Sequence, residues 1–189
     1  VDCLVEKPLC TTLEDCRRVV AAAEAAESLV WVGLEYRYMP PVARFLAEVG
    51  CGAAGPLHMV FVREHRFPFL PKVGNWNRFN RNTGGTLVEK CCHFFDLMRL
   101  AAGADPVRVL ASGGQDVNHL DEEYDGERPD ILDNAYVIVE FANGVRGCLD
   151  LCMFAEASKN EQEISVVGDT GKVEAKKMLE QRCDFADDW

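Results

Sequence analysis

The chain has 189 residues, 48% of them hydrophobic, enough for one well-filled domain or one domain plus a piece of another, so global disorder is excluded. Its formal net charge of −11 argues against a nucleic-acid surface or an acidic-membrane surface as partner. No apolar run approaches the ~18 uninterrupted residues of a membrane-spanning helix.

Val1 to Val5 reads as a short buried strand running into Glu6-Lys7-Pro8, where Pro8 stops it. Thr11 or Thr12 caps a following helix, with Glu14 and Asp15 in its first turn and an end near Ser28. Leu29 to Leu34 is a second strand. Strand, helix and strand at this spacing form a βαβ unit and imply a parallel sheet. Two strands do not make a stable parallel sheet alone, so the remainder is expected elsewhere. The start at Val1 inside a strand pattern, and the end at Asp187-Asp188-Trp189, suggest a piece of a longer protein.

Beyond this point the pattern changes. Pro40 and Pro41 open a helix to about Val49, which Gly50, Gly52 and Gly55 end. Leu57 to Phe67 alternates as a strand, with Leu57, Met59 and Phe61 on one face and Val60 and Val62 on the other. Pro68 to Gly85 is a long loop of the kind that usually carries function. Gly84-Gly85 then opens a helix to about Ala102, with Leu87, Cys91, Phe94, Phe95 and Met98 toward the core. Val107 to Gln115 is a strand, and Asp116 to Asp130 an acidic, exposed excursion. Asn134–Phe141 and Val145–Met153 form a hairpin about Asn143-Gly144; Gln162–Val167 and Lys172–Ala175 form another. The sum is α+β: residues 1–35 closing a Rossmann-type unit, and residues 36–189 forming a large, mainly antiparallel open sheet with helices on one face.

Nine cysteines without a C-x-x-C pair exclude zinc-ribbon and thioredoxin readings. Cys91 and Cys92 point about 100° apart on a helix and do not share one ion, so no metal site is expected. Free thiols in apolar runs fit a reducing compartment, the cytoplasm. His58, His65 and His119 have no partner pattern and read as structural.

Four places carry chemistry. Glu89, His93 and Asp96 lie four and three residues apart, along one stripe of the predicted helix. Acid and imidazole together suit proton transfer, since histidine titrates near neutrality and a carboxylate can hold its ring. Lys7 stands at the carboxyl end of a parallel strand, where ligands of open α/β sheets bind. Trp76-Asn77-Arg78 offers an aromatic face and hydrogen-bonding groups to a polyhydroxylated ligand. Tyr36-Arg37-Tyr38 lies where the two halves join. Each also has a bland reading: a solvated helix face, a surface lysine, a loop packed on the sheet, and ordinary interdomain packing.

Taken in order, Glu6-Lys7-Pro8, the Tyr36 region and the run Gly84-Gly85 through Glu89, His93 and Asp96 resemble the glucose–fructose oxidoreductase/inositol dehydrogenase (Gfo/Idh/MocA) family. The family patterns are E-K-P and G-G-x-L-x-D-x-G-x-H-x-x-D. The resemblance spans nearly the whole chain. Glu89 stands where the family has aspartate, and Cys91 where it has glycine. The resemblance implies a Rossmann domain followed by an α+β substrate domain, NAD or NADP as cofactor, and hydride transfer on a sugar, cyclitol or related secondary alcohol. It implies Lys7, Glu89 and His93 as catalytic residues and Glu6, Lys7 and Pro8 beside the cofactor. Tyr36, Trp76, Asn77, Arg78 and Asp96 would line the substrate pocket. The open sheet is expected to serve a homo-oligomer. No strand–G-x-G-x-x-G–helix unit with its ribose-binding acid is read in the chain; that unit is expected in ~100 residues ahead of Val1. The alternative is a family member without catalysis, acting in binding or assembly.

Overall fold

The computed structural model describes residues 1–176. Cys183 and the closing Asp187-Asp188-Trp189 lie outside them. The chain opens with β1 (Cys3–Glu6), α1 (Leu13–Glu24) and β2 (Val30–Gly33). The two strands pair in parallel, Cys3 opposite Val30 and Glu6 opposite Gly33, as the βαβ reading requires. Thr12 caps α1 by accepting the Asp15 amide at 3.2 Å, and Glu14 and Asp15 fill the first turn. The helix stops at Glu24, short of the expected Ser28.

A 3-10 turn (Glu35–Tyr38) and α2 (Pro40–Gly50) lead into β3 (Leu57–His65). The segment Gly50-Cys51-Gly52-Ala53-Ala54-Gly55 has the letters of a phosphate loop. It follows a helix and precedes a strand, the reverse of the order that function needs. The expected loop from Pro68 contains a 3-10 segment (Val73–Arg78) and α3 (Asn80–Thr83). The expected helix from Gly85 to Ala102 is broken into α4 (Thr86–Glu89) and α5 (Cys92–Ala102), the latter ended by Gly103 at φ 65°. β4 (Pro106–Gly114), β5 (Asn134–Phe141), β6 (Arg146–Cys152), β7 (Gln162–Gly168) and β8 (Lys172–Lys176) complete the described chain.

The second sheet has six strands in the order β4-β5-β6-β3-β7-β8. Every neighbouring pair is antiparallel except β3 and β6, which run parallel from Met59 opposite Arg146 to His65 opposite Cys152. The two hairpins are as expected. β3 slots between them, a pairing set by tertiary placement and not by local pattern.

One face of the sheet is core. Val60, Val62, Val137, Val139, Leu149, Leu151, Ile164 and Val166 are buried against Val42 and Phe45 of α2 and Phe94, Leu97 and Met98 of α5. The inward register of β3 continues through Val60 and Val62 to Glu64, which is 0% exposed, so a carboxylate enters this apolar face. The other face is open and carries exposed Met59, Leu110, Tyr136 and Ile138. Helices therefore lie on one side only.

The acidic excursion is exposed over most of its length, as expected, but it is tied down at several points. Ile131 and Asn118 are buried, and Asp133 accepts the amides of Asp116, Val117 and Asn118. Its outer part folds onto the 73–83 segment through Asp130 to Asn80, Glu127 to Arg81, and the Tyr124 ring edge-on to Phe79. Asp121, Glu123 and Asp125 stay exposed, while Glu127 and Asp130 reach cationic and amide groups of that segment.

Leu149 sits at 0% exposure at the centre of the core face. Leu149→Ala is expected to destabilise the fold by about 2–5 kcal/mol in urea titration, by loss of burial and a residual cavity.

Candidate active site

The site forms where β1 ends, the 3-10 turn begins and α4 meets α5. Gly84 and Gly85 make its entry turn at φ 75° and 84°. A Cβ on Gly85 would lie 2.3 Å from Asn80 Oδ1, and one on Gly84 would lie 3.1 Å from the Thr11 carbonyl. The pair is thus required both by conformation and by close approach.

The break between α4 and α5 has a chemical cause. In a continuous helix the Glu89 carbonyl would pair with the His93 amide. Here it accepts Lys7 Nζ at 2.8 Å, across 82 residues of sequence. The Thr86 carbonyl takes both the Lys90 and Cys91 amides, and the Phe94 amide returns to Cys91. A side chain inserted into the ladder is a recognised origin of such kinks. The bond brings the lysine of Glu6-Lys7-Pro8 against the turn that carries His93. The Lys7-Pro8 peptide is cis.

The predicted stripe of Glu89, His93 and Asp96 is divided among three partners. Glu89, 4% exposed, accepts Lys72 Nζ at 3.0 Å on one oxygen, while its other oxygen is buried with no protein partner among the described residues. Asp96 is gripped by Nε and Nη2 of Arg37. It therefore closes a structural fork where substrate contact was expected. His93, 2% exposed, does not rest on a carboxylate. Its ring stacks on Tyr36, centroids 4.1 Å apart and planes 9° apart. Its Nε2 faces Glu35 at 3.5 Å, and its Nδ1 is buried and unpartnered. Burial first, then the positive charges of Lys7 and Lys90, push the His93 pKa down to about 3. His93 is thus a neutral imidazole across the ordinary pH range.

Tyr36 is buried behind His93, so its ring meets the imidazole and not the cleft. Trp76 is half-exposed, its ring under Lys72 Nζ at 4.8 Å, and it remains a wall for a ligand. Asn77 is wholly buried and donates to the Leu70 carbonyl at 3.1 Å, its side-chain oxygen buried without a partner among the described residues, so it braces the loop where a substrate contact was expected. Arg78 is 1% exposed with Nε on Glu122 at 2.7 Å. Glu122 also accepts Tyr124 Oη and meets His119. Those bonds outweigh burial and hold its pKa down at about 2. Arg78 therefore locks the loop from behind and has no face toward a ligand. The other histidines are paired too, His58 with Asp169 and His65 with Asp150.

Sequence reasoning missed Lys90 and Glu64. Lys90 Nζ lies 3.0 Å from Glu64 and 2.7 Å from Tyr36 Oη, deep in the protein. Burial works against its charge, yet Glu64 and Tyr36 together hold its pKa above the usual lysine value. One signal was available: Glu64 occupies the inward register of β3 and needs a buried cation.

A family model described as "Oxidoreductase family, C-terminal alpha/beta domain", of the Gfo/Idh/MocA type, matches residues 49–184. The chain belongs to the Gfo/Idh/MocA oxidoreductase family. It is 28% identical over 175 residues to the myo-inositol 2-dehydrogenase of Thermotoga maritima, covering 93% of this chain and 49% of that protein. It is similar to the crystal structure of GenD2 from gentamicin A biosynthesis in complex with NAD, with a TM-score of 0.78 and 26% identity, over 93% of this chain and 47% of that one. The fold is also that of the WlbA dehydrogenase of Bordetella pertussis, solved with NADH and UDP-GlcNAcA, with a TM-score of 0.79 at 21% identity, over 98% of this chain and 55% of that one. The chain spans about half the length of these relatives. The α+β, mainly antiparallel architecture is that of the Gfo/Idh/MocA C-terminal domain.

Within this family member the histidine gives a pH signature. Unfolded His93 binds a proton below its ordinary 6.5, whereas folded His93 resists until about 3. The unfolded state therefore holds more protons between those values, and stability falls as pH drops through that window. Urea titrations from pH 7 to pH 4 are expected to show a shallower decline for His93→Gln than for the parent. Parallel declines would place the protonation elsewhere.

Proposed function

We propose that this chain supplies the end of a nucleotide-binding unit (residues 1–35) and the substrate domain (from residue 36) of an NAD(P)-dependent oxidoreductase. Its substrate is a sugar, cyclitol or related secondary alcohol, and the enzyme works in the cytoplasm. The observation that carries the reading is the Lys7 bond to the Glu89 carbonyl, which sets an ammonium beside a neutral, buried imidazole. A neutral imidazole keeps a ring lone pair with which to accept a substrate hydroxyl, the contact through which a proton is passed on.

The residues present fit the reacting end of a nicotinamide cofactor. Glu6, Lys7 and Pro8 close a parallel strand at its carboxyl end, and Lys7 meets the turn that carries His93. They offer nothing to a dinucleotide's phosphates, which would be held by a glycine-rich unit outside these residues. Bound there, the cofactor would supply hydride acceptance and donation. His93 takes the substrate hydroxyl proton. Lys7 steadies the alkoxide that develops as the proton leaves. Glu89, through Lys72, tunes the charge at the turn between α4 and α5. Trp76 presents its ring to the carbon face of the substrate.

The assembly reading has an observation of its own, the exposed Met59, Leu110, Tyr136 and Ile138 on the open sheet. That face suits a homo-oligomer interface in an active enzyme equally well.

In a protein joining this sequence to a complete nucleotide-binding half, His93→Ala is expected to lower kcat with a polyol by about 10²–10⁴-fold. Lys7→Met is expected to act in the same direction, while cofactor binding followed by fluorescence persists. Unchanged turnover in His93→Ala would sink the assignment and return the protein to the assembly reading.

A further inference from the structure

Lys90 lies one residue from the Lys7-bonded carbonyl, yet its side chain turns away from the cleft. It runs into the protein, 5% exposed, to Glu64 on the core face of β3. From there it donates to Tyr36 Oη, which also receives Gln162 Nε2 at 3.3 Å. The Tyr36 ring lies flat against His93. Among the described residues no carboxylate is hydrogen-bonded to this imidazole; half-exposed Glu35 stands 3.5 Å from Nε2. Stacking is then what fixes the ring plane, and the hydroxyl anchor fixes the stacking partner.

We propose that Lys90 is a positioning residue for His93: held by Glu64, it anchors the Tyr36 hydroxyl, so that the Tyr36 ring sets the plane of the imidazole. The function of that plane rests on the reading of His93 as the proton-handling group; the geometry itself does not. A buried lysine replaces the usual carboxylate partner of a working histidine, and it does so through an aromatic ring. This arrangement favours the neutral imidazole, because a carboxylate would stabilise the imidazolium and an ammonium opposes it. The groups facing His93 are Lys7 from the end of β1, Glu35 and Tyr36 from the 3-10 turn, and Lys90 and Cys92 beside it in the chain. Glu64 of β3 lies behind Lys90.

Two variants test the arrangement. Tyr36→Phe keeps the ring and deletes only the anchoring hydroxyl. The double variant Lys90→Met with Glu64→Leu removes the buried pair together, since either alone would strand a charge. The first readout needs no turnover: the His93 imidazole nitrogen shifts of the 189-residue protein, assigned by loss of the signal in His93→Gln. In the parent, His93 is expected to stay neutral at pH 5. In the double variant and in Tyr36→Phe alike its nitrogen shifts are expected to change at pH 7, as the ring loses its fixed stacking partner, while burial and Lys7 keep it neutral. The second readout is kcat and KM in the protein with a complete nucleotide-binding half. There Tyr36→Phe is expected to lower kcat about tenfold, with KM for the alcohol within twofold. Folded variants, verified by circular dichroism, whose His93 signals match the parent's would overturn the proposal. If the double variant fails to fold, Tyr36→Phe decides on both readouts. If the His93 signals move while His93→Ala keeps full turnover, the positioning stands and the catalytic reading fails.

Discussion

Glu64 carries a carboxylate into the core face of a six-stranded sheet, where an unpaired charge would be heavily penalised. The fold answers with Lys90, drawn in from the turn between α4 and α5 to 3.0 Å, and more distantly with Arg66 at 3.5 Å. The pairing with Lys90 fixes the turn against the sheet and gives the lysine a second reach, to Tyr36 on the preceding 3-10 turn. Three elements distant in sequence are thereby held together: β3, the segment after β2, and the start of α5. Substituting either member of the pair alone would leave a stranded charge.

From the other side the same turn is held by Lys7. Its ammonium takes the carbonyl that a straight helix would have used internally, and the helix breaks there. The consequence is functional as well as structural. Glu89 and His93 no longer share a stripe; the acid faces Lys72, and the imidazole is left neutral between two ammonium groups and a tyrosine ring. A carboxylate–histidine pair would have raised the imidazole's basicity. This site lowers it and relies on ring stacking for direction.

The long loop and the acidic excursion act as one body. Glu122 collects Arg78, Tyr124 and His119, and Asp130 and Glu127 tie down Asn80 and Arg81. Trp76 is left as the exposed aromatic of a segment otherwise clamped from behind. Rigid support of this kind lets a loop present a surface to a ligand without a large ordering cost on binding.

Local pattern determined much of this protein. A cap marked the start of α1, proline and glycine both ends of α2, and glycine the end of α5; alternation marked β3 and both hairpins; motif spacing singled out Glu89 and His93, and the family resemblance added Lys7. Those signals are local because hydrogen-bonding periodicity and turn chemistry act over a few residues. The partners were not local. The parallel pairing of β3 with β6, the bond from Lys7 to a carbonyl 82 residues away, the capture of Asp96 by Arg37 and the burial of Lys90 beside Glu64 all join distant segments. Sequence determined which groups were available for chemistry. Only the tertiary structure decided which of them met, because the energy of a buried charge or a stacked ring depends on what the fold brings beside it.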